Sequence, residues 1–292
     1  MNGFSRVFRI ALFELSSAVR SRRAVVTALL FALIGAGVMF AVVSVFATLE
    51  EQVVSTLGLP ESGAAGGVTM TLWRSSAFKA VMSRALGSSL LFRDMLQLHP
   101  VTVAFGFFVF TVVPLMTLIT CAPVAAGEIR SGSVRYLLLR VSRTEWTLGL
   151  FFAEAFVLLV AMLLLAASAS AVSFCRLPGG SALGFIPTLF GWSFRAWFYA
   201  LAWLGVCTGA SLCVKSPGKA TGLSLVIYAV FSQMGIFMDG SLAALDFIRP
   251  QGCQYLLWRM SFPALLQGVV GVLAVAFLYL GLGGAVFARR DV

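Results

Sequence analysis

Charge is scarce in this sequence: Asp, Glu, Lys and Arg make up 11% of its 292 residues, where a soluble domain carries about 25%. With 60% apolar residues and a mean hydropathy of +0.98, the chain is not built to fold in water. Histidine occurs once, as His99 before Pro100, which leaves no partners for a histidine metal centre and little choice for a Ser–His relay; His99 reads as a helix-end residue. The five cysteines, Cys121, Cys175, Cys207, Cys213 and Cys253, are scattered without metal-ligand spacing and read as small apolar fillers. A phosphate loop is missing as well. Its nearest approach is Gly218-Lys219-Ala220, but Cys213 and Ala220 stand where the pattern needs a glycine and a hydroxyl. The chain is therefore expected not to be an enzyme and to hold no cofactor or metal of its own. The net charge of +10 does not call for nucleic acid, because the basic residues flank apolar runs.

Those runs are what the sequence has in plenty. A bilayer crossing takes about 20 apolar residues in a helix, and the composition predicts six: 24–49, 100–126, 147–174, 192–214, 220–238 and 260–288. The fold class expected is a single all-α membrane domain over 1–292 with six transmembrane helices. Pro114 and Pro123 are expected to kink or end the second span, and the small-residue spacing Gly205 to Gly209 predicts a close approach to another span or to a second copy.

Residues 1–23 differ in kind. Phe4, Val7, Phe8, Ala11, Leu12, Leu15, Ala18 and Val19 recur at helical spacing, while Arg6, Arg9 and Arg20 take the other side. That pattern predicts an amphipathic helix lying in the headgroup layer of the lipid bilayer. The segments 50–99 and 239–259 are mixed in charge and are expected outside the cytoplasm. Orientation follows from the basic residues, which cytoplasmic flanks favour. With both termini inside, thirteen of the 21 Lys and Arg fall on cytoplasmic segments.

The most polar stretch between spans is 127–146. A helix joining spans two and three there would be a rigid cytoplasmic element able to receive force. Ser133 is positioned to cap it, Tyr136 to Leu139 are expected to pack toward the membrane domain, and Arg130, Arg135 and Arg140 to face the cytoplasm. Glu154, near the start of the third span, is costly to bury alone and is expected either to pair with an arginine of the N-terminal helix or coupling segment, as a polar tie, or to reach the headgroup layer.

The run Glu128-Ile-Arg-Ser-Gly132-Ser133-Val-Arg135-Tyr136-Leu137-Leu138, followed by Val141-Ser142-Arg143, resembles the coupling segment of ABC-2-type transporter permeases. In that pattern an acid precedes Gly-Ser/Thr and then Leu-Leu, and a Val-Ser-Arg follows. The ending Phe287-Ala288-Arg289-Arg290-Asp291 is similar to the family's C-terminus. The resemblance implies a permease subunit of an ATP-binding cassette transporter in the plasma membrane of a bacterium. It implies coupling to separate ATPase subunits through Glu128, Gly132, Ser133, Arg135, Tyr136, Leu137, Leu138 and Arg143, with ATP and magnesium bound in those partners. It further implies a homodimer or paired permease, and the length of 50–99 is similar to permeases that engage a periplasmic partner. Two rivals are an ion-coupled secondary transporter, which would need paired acids deep in broken spans, and a membrane scaffold that recruits an extracytoplasmic partner.

Overall fold

The computed structural model describes residues 3–57, 73, 75, 94–176, 181–237 and 248–289, and among these no strand occurs. The helices are α1 (Gly3–Arg20), α2 (Arg23–Leu57), α3 (Pro100–Ser131), α4 (Ser133–Leu138), α5 (Arg143–Arg176), α6 (Ser181–Cys213), α7 (Pro217–Phe237), α8 (Gln254–Trp258) and α9 (Phe262–Ala288), with a 3₁₀ turn at Pro250–Cys253 before α8. Five of them contain stretches long and apolar enough to cross a membrane: α2, α3, α5, α6 and α9. The sixth expected span is the 21-residue α7, which is not among those five. Most of 50–99 and the part of 239–259 before residue 248 lie outside the described residues.

The bundle is built around α6, which touches α3, α5, α7 and α9. Its apolar stretch is 83% buried, against 28% for those of α2 and α9, which flank the bundle. Close packing on α6 depends on missing side chains. A Cβ on Gly205 would collide with the backbone of Ala276, one on Gly209 with the carbonyl of Tyr279, and one on Gly283 with Gly209 itself. The small-residue spacing thus serves the α6–α9 crossing within one chain.

Helix α3 runs through Pro114 and Pro123 without ending. Its start is capped by His99, whose Nδ1 accepts from the Val101 N–H at 3.3 Å. At the same end of the bundle Arg195 donates to the carbonyls of Leu257 and Arg259, both at 3.3 Å, so its charge is spent on the C-terminus of α8. Asp94 then holds Arg259 at 3.1 Å and the Met260 N–H at 3.2 Å. Aromatic rings fill the space between: Phe110 stacks on Tyr199 at 5.5 Å, and Trp192 lies 4.6 Å from Trp258.

At the other end, α1 lies on α5 and meets the start of α2. The two helices are separated at Ser21-Arg22, where Arg22 takes φ 61°, a left-handed conformation that ends α1. The face of α1 turned to the bundle takes only Ala18 from the apolar stripe into the buried core. Ile10, Glu14 and Ala18 are buried, and Ile10 rests against Gly149 of α5, where any side chain would clash with it. Val7, Phe8, Ala11, Leu12 and Leu15 instead line an outward apolar groove with Phe152 and Phe156. Helix α1 therefore has three faces, one on protein, one apolar and open, one basic.

Candidate functional site

The ends of α3, α6 and α9 and the starts of α2, α5 and α7 gather at the end of the bundle that carries α1. Helix α3 stops at Gly132, whose φ of 76° suits a residue without a side chain. Its N–H closes on the Ile129 carbonyl at 3.3 Å. Ser133 does not cap α4, as the sequence suggested: no side-chain cap bond is made there. Its hydroxyl turns back and donates to the Glu128 carbonyl at 3.1 Å, alongside that of Ser131 at 2.9 Å. Both serines thus satisfy the exposed end of α3.

The six residues of α4 form a knob with an anchored underside. Val134 is fully buried, and Leu137, Leu138 and Val141 pack on a small core containing Ile10, Trp146, Leu212 and Phe287. Tyr136 and Leu139 are 78% and 83% exposed, which corrects the expectation that the whole run Tyr136 to Leu139 packs inward. With 3.6 residues per turn, only part of a continuous apolar run can face one side. Arg130, Arg135 and Arg140 are exposed around those two side chains.

The turn from α4 into α5 holds a feature the sequence reading missed. Ser142 and Glu145 cap α5 reciprocally: the Ser142 N–H donates to Glu145 Oε2 at 2.9 Å, and the Glu145 N–H to Ser142 Oγ at 3.2 Å. The spacing Ser-x-x-Glu before an apolar run is the signal that would have found it. Glu145 also lies 3.8 Å from Arg6 of α1. Next to it, Arg143 reaches the C-terminus of α9, donating to the carbonyls of Phe287 and Ala288 and lying 5.3 Å from the Phe287 ring centroid. The two stretches that carried the family resemblance therefore meet in space, 145 residues apart in sequence. Arg143 is thereby engaged within the chain, as a clamp on the last helix.

Behind the knob, Glu154 of α5 is buried and takes an ion pair from Arg23 at the start of α2. Glu128 does not face outward with the exposed arginines. Its side chain turns toward Glu14 of α1, which is buried, and it lines a crevice of about 320 Å³ with Arg23, Ser17, Ser21 and Ser131. Among the described residues no group of three or more His, Cys, Asp or Glu is placed to hold a metal ion.

No family model and no curated protein matches this chain. The site is accordingly read from its own geometry. Of the expected residues, Arg135 and Tyr136 are presented outward, and Leu137 and Leu138 support them from below. Gly132 and Ser133 shape the turn, while Glu128, Arg143 and Glu154 bind other helices. Such a knob presents two large exposed side chains, Tyr136 and Leu139, among three exposed guanidinium groups.

Proposed function

We propose that this chain is the permease subunit of an ATP-binding cassette transporter, moving a substrate across the plasma membrane while separate ATPase subunits bind ATP and magnesium. In this reading α7 completes six spans, α1 lies in the cytoplasmic headgroup layer, both termini are cytoplasmic, and α4 is the coupling helix. The observation that carries it is the α4 knob: Tyr136 and Leu139 stand out beside Arg135 and Arg140, while Val134 roots the helix in the bundle. Exposed tyrosine and arginine side chains are the types that dominate protein interfaces. A rigid root between α3 and α5 would pass a displacement of the knob to both spans. A homodimer or paired permease supplies the second half of the pathway, and 50–99 is the segment available to an extracytoplasmic partner. An ion-coupled carrier would instead place its acids near the membrane midplane on broken helices, whereas α3 and α5 run unbroken.

The test is co-purification of the tagged full-length chain from its native membranes. An ATP-binding-cassette ATPase is expected in the complex, and the double variant Arg135→Ala/Tyr136→Ala is expected to lose it while keeping the wild-type melting temperature. Recovery of the chain with no such ATPase, or undiminished capture by the double variant, would falsify the proposal.

A further inference from the structure

Three carboxyl groups and one guanidinium meet where α1, α2, α3 and α5 converge. Glu14 and Glu154 are 3% and 4% exposed, and Arg23 gives its ion pair to Glu154. That leaves Glu14 and Glu128. One oxygen of each, Glu14 Oε1 and Glu128 Oε2, is buried with no donor to receive. Yet the two side chains lie near enough to act on each other directly. An ionised carboxylate has no hydrogen to give, so two bare carboxylates in this position would repel, with Glu14 held away from water. A single proton turns the repulsion into a hydrogen bond.

We propose that Glu14 and Glu128 form a proton-binding site, in which one shared proton fastens the N-terminal helix to the last turn of α3. The charged groups facing the pair are Arg23 from α2 and Glu154 from α5. On α3 itself the thiol of Cys121 lies by Glu154. Ser211 is the polar group that α6 brings to this end, and it accepts the Ala126 N–H at 2.8 Å; Lys219 of α7 is exposed. The crevice beside Glu128 and Arg23 gives the proton a way in and out. This inference does not depend on what docks at α4.

The consequence for stability follows from proton counting. Above the ordinary carboxyl range the folded chain still holds a proton that the unfolded chain has released, so stability falls as pH rises from that range up to the point where the pair lets go, and levels off beyond it. The experiment is infrared spectroscopy of the full-length protein in lipid nanodiscs, in light and heavy water, with melting temperatures across pH. Wild type is expected to show the carbonyl stretch of a protonated carboxyl at neutral pH and to lose it on alkaline titration, with the melting temperature falling from the ordinary carboxyl range up to that release point and level above it. Glu14→Gln and Glu128→Gln are each expected to abolish the whole band, since the remaining partner accepts from the new amide, and to flatten the fall in melting temperature below the release point. Wild type without the band overturns the proposal, and this holds even if a variant fails to fold. A band that survives both substitutions, or that halves with each, overturns it as well.

Discussion

Ser142 and Glu145 show how much a loop can rest on two side chains. Each satisfies a backbone N–H that the first turn of α5 leaves unpaired. Ser142→Ala is expected to cost about 1 kcal/mol of stability, and combination with Glu145→Ala to add less than the sum of the single effects, because the two bonds fix the same turn. Chemical denaturation of the three variants in one detergent measures both. Arg22 offers the opposite case. Its φ of 61° is a conformation in which a side chain costs about 1 kcal/mol and glycine nothing, so Arg22→Gly is expected to raise the melting temperature slightly and Arg22→Val to lower it.

Between helices, contact distance decides what a substitution does. Gly209→Ala puts a methyl group into the carbonyl of Tyr279, backbone against backbone, with no flexible side chain to give way. Loss of about 1–3 kcal/mol is expected from such overpacking, read as lower melting temperature and broader elution. Gly222→Ala is the matched control, since nothing lies within 4 Å of its added carbon and alanine is the better helix former. At the bundle end, Arg143→Ala removes the donor from the last carbonyls of α9. Hydrogen exchange is expected to quicken in the final turn of α9 and to stay unchanged at the α6–α9 crossing.

For the molecule as a whole, the arrangement of helix ends makes a topological statement. Helices α1 and α4 share an end with the close of α9, and Phe262, 74% exposed, begins α9 at the other. With the native exposed Cys175 replaced by serine, Tyr136→Cys and Arg9→Cys are expected to react with a membrane-impermeant maleimide only from the cytoplasmic side, and Phe262→Cys only from the opposite side. Labelling of Tyr136→Cys from the exterior would remove the docking surface from the reach of any cytoplasmic ATPase.

The long helices were legible because a chain so poor in charge has one solvent open to it, and each uncharged run had to become a helix there. Their limits were less so: α3 continues past Ala126 to Ser131, because helical hydrogen bonding goes on after hydropathy has ended, and α6 begins at Ser181, ahead of Trp192, running through Pro187. The turn at Gly132 and the exposure of Arg135 also followed from local rules. The tertiary structure alone decided that α1 turns Glu14 inward, toward Glu128. It alone spent Arg143 on the end of α9 and Arg23 on Glu154, 131 residues away. Periodicity records which residues share a face of one helix; which neighbour that face meets is set by packing among distant segments, and a buried charge finds its partner only there.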